Sequence, residues 1–310
     1  MKVGIIDMGT NTFNLLIAEL DNKGGYKPVY RSKVGVKLGE GSFEKKYITE
    51  AAMQRSFLAL EAQISAIKNQ YCDKVLAFAT SAVRGASNAT DYVQKVKDLY
   101  GINIHVIDGD REASMIYNGV QLSGALIKDN VLIMDIGGGS TEFIVANDEE
   151  ILWKKSYELG VSRLLEKFKP EDPITQSTLD DLESHIGEQI AEVFEAVNSE
   201  NVTTMIGSSG SFDTFSDVIS KRKGDYEDKV KLTSRDFDRE ALDIHLDELV
   251  HSSRMEREAM DGMVAMRLNM IVMSAVLVRY VLKYTMIETV KLSKYSLKEG
   301  VLFEVLKGNL

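Results

Sequence analysis

The sequence is poor in the residues that build disulfide frameworks, zinc sites and linkers: it has one cysteine, four histidines and three prolines in 310 residues. Cys72 has no partner for an intramolecular disulfide, and no charged-then-apolar leader with a small-residue cleavage site precedes the first strand-like run, so a cytoplasmic setting is expected. His105, His185, His245 and His251 are scattered at no ligand spacing, which argues against zinc. So few prolines leave little room for disordered linkers, and compact structure is expected throughout. Long apolar runs are missing too. The most apolar helical stretch, around Met270 to Leu282, is broken by Arg267 and Arg279 and is too short for a bilayer core of about 30 Å, so it reads as a core helix and no membrane partner is expected. There is no Walker A sequence and no GxGxxG dinucleotide fingerprint. The GSSGS segment resembles a serine-hydrolase elbow only superficially, because no His/Asp pair can be assigned to serve it.

Positive charge is scarce as well. Thirty-seven Lys and Arg stand against 47 Asp and Glu, a net charge of −10, which argues against a general nucleic-acid binder because a phosphate backbone needs a broad basic face. If such a chain binds a polyanion, it must concentrate positive potential locally, through metal ions, helix N-termini and a few arginines.

The hydrophobic content is 44% and the charged content 27%, typical of a globular protein, and the length suits two lobes of roughly 120 to 170 residues each. The first lobe opens with strand patterns at Lys2 to Asp7, Thr12 to Leu20 and Pro28 to Leu38. A helix over Thr49 to Asn69, a strand at Lys74 to Ala79, a helix over Asn88 to Tyr100, a strand at Asn103 to Ile107 and a helix over Arg111 to Leu122 follow. At Val131 the opening pattern starts again: VLIMDIGGGSTEFIVAN repeats VGIIDMGTNTFNLLIAE, with Asp7 and Asp135 in equivalent positions 128 residues apart. That period is far too long for a solenoid and indicates a duplicated domain. The second copy continues with a strand at Ile151 to Glu158, helices over Val161 to Lys169 and Thr178 to Val197, a strand at Val202 to Ile206 and a helical remainder. Two similar α/β lobes are expected, 1–124 and 125–296, with their strand-end turns facing one another across an interdomain cleft. Met263, Met266, Met270 and Met273, at near-helical spacing, read as a core stripe, with a homodimer face as the alternative.

Five segments carry candidate chemistry. In Asp135-Ile136-Gly137-Gly138-Gly139-Ser140-Thr141-Glu142 three glycines let the backbone approach a phosphate closely, and Ser140 and Thr141 add hydroxyls. Asp135 and Glu142 flank the loop and suit a hydrated magnesium ion, although a triple glycine alone is equally a plain hairpin turn. Its repeat partner, Asp7-Met8-Gly9-Thr10-Asn11-Thr12, offers Thr10, Asn11 and Thr12 to phosphate and Asp7 to the metal. Gly207-Ser208-Ser209-Gly210 follows a strand and opens a helix, which reads as an anion site or as a simple Ser N-cap. Arg84, between a strand and a helix, is placed to take phosphate oxygens or to lie in solvent. Glu112 in a first helical turn is a dipole complement or a base for an attacking water.

Taken together these segments resemble the exopolyphosphatase/guanosine-pentaphosphate phosphatase (Ppx/GppA) family nearly end to end. The resemblance rests on IIDMGTNTFNLLI from Ile5, LGEGSF from Leu38, ATSAVRGASN from Ala79, IDGDREASMIYNGV from Ile107 and DIGGGSTE from Asp135, with IGSSGSF, DGMVAMRLNMIV around Arg267 and SLKEGVL behind them. It implies a duplicated ribonuclease-H-like actin-type fold, of the superfamily of actin, sugar kinases and heat-shock ATPases, with the C-terminal helix at 297–310 completing the first lobe. It further implies magnesium-dependent hydrolysis of terminal phosphate from polyphosphate, or of the 5′-γ-phosphate of pppGpp. By position, Glu112 matches the catalytic carboxylate and Asp135, Glu142 and Asp7 the metal-linked acids. Thr10, Asn11, Gly138, Gly139, Ser140 and Thr141 match the phosphate loops, and Arg84 and Arg267 the arginines facing the cleft. Two positions depart from the family pattern: Ser114, where Arg is common, and Lys298, within a GLREG-like motif that here reads Ser296-Leu297-Lys298-Glu299-Gly300. The chain also stops near residue 310, short of the helical region that longer members append, so a short polyphosphate or a nucleotide is a natural substrate. The rival readings are a kinase or ATPase of the same superfamily and a non-catalytic phosphate or alarmone sensor.

Overall fold

The opening residues alternate apolar runs with turn-forming ones, and they form three antiparallel strands, β1 (Lys2–Met8), β2 (Thr12–Leu20) and β3 (Tyr26–Gly35). A computed structural model describes residues 1–21 and 23–310, and in it the chain separates into two compact units. One comprises Met1–Gly119 with Leu297–Leu310, and the other Val120–Ser296.

In the first unit β1 also pairs in parallel with β4 (Lys74–Ala79), which pairs in parallel with β5 (Ile104–Val106), so the sheet order is β3-β2-β1-β4-β5. Pro28 is tolerated in β3 because that strand lies at the sheet edge. Phe13, Leu15 and Ile17 of β2 are fully buried against the helix Glu50–Asn69, which starts at Thr49, whose side chain accepts the Ala52 N–H. A one-residue slip of β2 would carry those three side chains to the opposite face of the sheet, away from this helix, so the hairpin register is firmly specified.

The second unit is built on β6 (Val131–Ile136), β7 (Thr141–Ala146), β8 (Ile151–Tyr157), β9 (Thr204–Ser208), β10 (Ser234–Asp236) and β11 (Thr289–Ser293), in the order β10-β11-β9-β6-β7-β8. Apart from the added edge strand β10, the series β8-β7-β6-β9-β11 reproduces β3-β2-β1-β4-β5 with the same parallel and antiparallel senses. The duplication extends to irregularities: the register shifts at Ile17/Ala18 and, 128 residues on, at Val145/Ala146. This is a ribonuclease-H-like actin-type fold present twice.

Two expectations are corrected. The helix expected over Thr178 to Val197 is two helices, Gln176–Gln189 and Ala191–Ser199, parted at Ile190, whose φ of −106° and ψ of 20° leave the helical region. The stretch expected to be wholly helical after Ile206 contains β10 and β11. Both are short, and β11 buries only alternate apolar residues, Val290 and Leu292, before Ser293, too little periodicity to stand out between long helices. Of the methionine stripe, Met273 is fully buried, Met263 and Met270 pack against the second core, and Met266 is exposed. Among the described residues no helix is long and apolar enough to cross a membrane.

Candidate active site

Each unit ends its first strand in the same bend. Gly9 N–H donates to the Thr12 carbonyl at 3.1 Å, and at the equivalent position Gly137 N–H donates to the Ser140 carbonyl at 2.9 Å. In both bends the carbonyls are tied down by the segment that follows the third strand. Thr10 O accepts from Gly39 N, and Asn11 O accepts from Val36 N and Lys37 N. Gly137 O accepts from Val161 N, and Gly138 O from Ser162 N and Arg163 N. With their carbonyls held on one side, the bends present their N–H groups on the other. Among the described residues, the N–H groups of Gly138, Gly139 and Ser140 donate to no protein acceptor, which makes a nest suited to an anion.

Asp135 and Glu142 face each other across β6 and β7, and both are almost completely buried. Two adjacent carboxylates out of water are costly unless donors or a cation compensate them. Asp135 is held by three hydroxyls: Ser208 Oγ and Ser296 Oγ donate to Oδ2, each at 2.5 Å, and Ser209 Oγ donates to Oδ1 at 2.8 Å. Glu142 Oε1 accepts from Ser156 Oγ at 2.7 Å. The serines expected to meet phosphate therefore serve a carboxylate. Ser209 does so from a left-handed backbone with φ +70°, a conformation disfavoured for a side chain with a Cβ, at the junction of β9 and the helix Ser209–Lys223. Thr141 is fully buried and donates to the Leu159 carbonyl at 3.0 Å, so its hydroxyl is turned into the protein.

In the first unit Asn14 Nδ2 donates to Asp7 Oδ2 at 2.9 Å; Asn14 occupies the repeat position of Glu142, so this copy has one carboxylate where the other has two. Lys298, 3.2 Å from Glu299 Oε2, also feels the charge of Asp7. Burial alone would lower the ammonium's pKa, but the charges of Glu299 and Asp7 outweigh it and hold it above the ordinary lysine value. Glu112 sits in the first turn of the helix Gly109–Ser123, mostly buried. Its Oε2 accepts from Arg84 Nη1 at 2.9 Å, and the same Nη1 donates to the Ile107 carbonyl. Arg84 thus orients Glu112 with one nitrogen and retains Nε and Nη2 for another acceptor.

Arg267 closes the short 3₁₀ turn Ala265–Arg267, and its guanidinium lies over Gly210 in the first turn of the helix Ser209–Lys223. Burial pushes the guanidinium below its ordinary value, opposed by the charge of Asp213. A Cβ on Gly210 would stand 1.7 Å from Arg267 Nη2, the mobile end of a long side chain. Gly210→Ala should therefore displace Arg267 rather than unfold the unit. We expect affinity for a phosphate-bearing anion to fall about 10-fold, as for loss of one charge-assisted contact, with a melting temperature close to wild type. An unchanged affinity would separate Arg267 from anion binding.

A match to the Ppx/GppA phosphatase family runs over residues 16–309. The chain belongs to that family. Among solved structures, this Ppx/GppA chain is 37% identical to an exopolyphosphatase from Cytophaga hutchinsonii, with a TM-score of 0.96 over 99% of this chain and 98% of that one. Among curated relatives, it is 39% identical over 170 residues to a bifunctional 3-dehydroquinate synthase/phosphatase of Fusobacterium nucleatum, covering 53% of this chain and 26% of the relative. It is also 29% identical over 215 residues to a guanosine-5′-triphosphate,3′-diphosphate pyrophosphatase of Aliivibrio fischeri, covering 69% of this chain and 43% of the relative. The chain thus spans less than half the length of these two curated relatives.

The second unit brings together Asp135, Glu142, the triglycine bend and the Gly207–Gly210 loop; the first brings together Arg84 and Glu112, and separately Asp7 and the bend that follows it. Residues that sequence reasoning missed are the partners: Asn14, Ser156 and Ser296. Ser296 was visible only as a departure from a family motif, and nothing in the sequence pointed to Ser156 or Asn14.

Proposed function

We propose that this Ppx/GppA phosphatase is an exopolyphosphatase that removes terminal phosphate from inorganic polyphosphate with the help of a magnesium ion. The observation that carries the reading is the triglycine bend: three N–H groups that, among the described residues, meet no protein acceptor, beside a buried carboxylate whose orientation is locked by three serines. The near full-length likeness to a solved protein named as an exopolyphosphatase supports polyphosphate over a nucleotide.

Among the described residues no group of three or more His, Cys, Asp or Glu side chains forms a preformed metal cage. Magnesium does not need one, since it keeps several waters and takes only one or two carboxylates together with phosphate oxygens. The Asp135 and Glu142 pair fits that requirement: two buried carboxylates side by side, oriented by serine hydroxyls. Asp7 already interacts with the charge of the Lys298 ammonium, so the reading rests on Asp135 and Glu142. When bound, the ion would neutralise charge on the phosphate oxygens. The chain's own groups do the rest. Within the second unit the N–H groups of Gly138 to Ser140 cradle a phosphoryl group and Arg267 offsets its charge; within the first, Glu112, aimed by Arg84, is the group that takes a proton from water.

A side-by-side phosphate-release assay on long polyphosphate, tripolyphosphate, pppGpp and ATP, with and without magnesium, tests the proposal. We expect release from polyphosphate without any nucleotide, and its loss on chelation. A kcat/KM for pppGpp more than ten times that for polyphosphate would instead assign a pentaphosphatase. Acceptor-dependent consumption of ATP would assign a kinase, and binding of polyphosphate without release a sensor.

A further inference from the structure

The triglycine bend has no side chains of its own to hold its shape, so whatever directs its N–H groups must come from elsewhere. The carbonyl of Gly139, in the middle of the bend, accepts from Arg163 Nε at 3.1 Å. Arg163 is on the first turn of the helix Val161–Phe168, and its own backbone N–H donates to Gly138 O, next to the donations from Val161 and Ser162. One residue therefore grips two successive carbonyls of the bend, once through the backbone and once through the guanidinium. The guanidinium is itself steadied by Glu158, 3.4 Å from Nη1, although Glu158 is 78% exposed and the pair is a weak anchor. Immediately before the helix, Gly160 allows the two segments to touch: a Cβ there would lie 2.3 Å from the Gly139 backbone.

From this arrangement we infer that Arg163 is a positioning residue for the phosphate nest, pulling the Gly138 and Gly139 carbonyls back so that the N–H groups of Gly139 and Ser140 join that of Gly138, whose plane Val161 holds through the Gly137 carbonyl, in pointing at the anion. A peptide plane carries its N–H and C=O on opposite edges, so tying the carbonyl of Gly139 to Arg163 fixes the direction of the Ser140 N–H, and tying that of Gly138 fixes the Gly139 N–H. Without the guanidinium, two glycines with wide conformational freedom would sample other orientations, and the anion would have to order them on binding. The guanidinium also sits behind the bend as a fixed positive charge, which favours an anion in front of it. The inference rests on the proposal that the bend holds a phosphate group of the substrate.

Three variants and two measurements test it. In Arg163→Ala the carbonyl loses its donor, in Arg163→Lys the charge stays but the planar fork is lost, and Glu158→Gln removes only the exposed partner. Hydrolysis of tripolyphosphate with magnesium gives KM and kcat, and calorimetric titration with imidodiphosphate, which is not hydrolysed, gives affinity alone. We expect Arg163→Ala to raise KM and weaken imidodiphosphate at least about 10-fold, Arg163→Lys to recover only part of this, and Glu158→Gln to match wild type. Added guanidinium ion at millimolar concentration should restore affinity in Arg163→Ala and leave wild type unchanged, which a general loss of stability would not do. Wild-type affinity in Arg163→Ala, full recovery by Arg163→Lys, or absence of imidodiphosphate binding by wild type would each overturn the inference. Failure of wild type to hydrolyse any phosphoanhydride while the affinity contrast persists would refute the exopolyphosphatase reading and leave Arg163 in place.

Discussion

Replacing Glu112 by Gln is expected to lower kcat on polyphosphate by about 100- to 10,000-fold while leaving KM within a few-fold of wild type. The substitution keeps the shape and the ability to accept from Arg84 Nη1, now 2.9 Å away, but removes the negative charge that would take up the proton in the proposed mechanism. It also weakens the hold of Arg84, which keeps its bond to the Ile107 carbonyl and is thus partly retained in place. A single-turnover measurement with bound tripolyphosphate separates the chemical step from binding. Near-normal turnover in Glu112→Gln would remove Glu112 from the role, and an equal loss in KM would make it a binding residue. Arg84→Lys provides the internal comparison. The shorter ammonium cannot serve Ile107 O and Glu112 together in the same geometry, so kcat should fall there also, by a smaller factor.

The second large effect is expected from a residue with no functional group at all. Gly160→Ala would place a Cβ 2.3 Å from both the nitrogen and the carbonyl carbon of Gly139. Neither can swing aside, because the Gly137 and Gly138 carbonyls are bonded to the N–H groups that follow Gly160. The strain must be met by pushing the triglycine bend away from the helix Val161–Phe168. Overpacking of this kind typically costs about 1–3 kcal/mol, and for a unit of this size about 2–4 °C of melting temperature for each kcal/mol. More telling is the coupling to function: KM for polyphosphate should rise by at least about 10-fold, since every N–H in the nest moves with the bend. Gly187→Ala is the control. Its added Cβ would meet the Tyr280 hydroxyl at 2.2 Å, the far end of a side chain, and a melt with little change in KM is expected there. Equal KM in Gly160→Ala and wild type would show that the bend does not touch substrate.

Much of the architecture was legible before any coordinates. Strands β1, β2, β6 and β7 are apolar runs closed by Gly- or Asn-bearing bends and β4 is a short apolar run before a helix; the limits of β1, β2 and β4 fall within a residue of expectation. The 128-residue repeat announced two copies of one topology, and the matching sheet orders and register shifts carry it further than sequence similarity alone. What escaped notice were the elements with weak local signals. β11 is a buried parallel strand of five residues with only two apolar side chains, recognisable only once β9 lies beside it. The break at Ile190 has neither proline nor glycine to mark it.

At the candidate site the division is sharper. Sequence alone determined which residue types gather in each bend and that the bends are repeats, because strand alternation and turn chemistry are local: neighbours along the chain dictate them. Tertiary structure alone decided what each polar atom faces. Asp135 is met by hydroxyls 73, 74 and 161 residues away, Thr141 turns to Leu159 rather than outward, and Arg84 is joined to Glu112 across 28 residues. A hydrogen bond needs its partner within about 3 Å and in line. Such proximity between distant segments is set by how helices and strands pack, so no reading of the chain in one dimension could have supplied it.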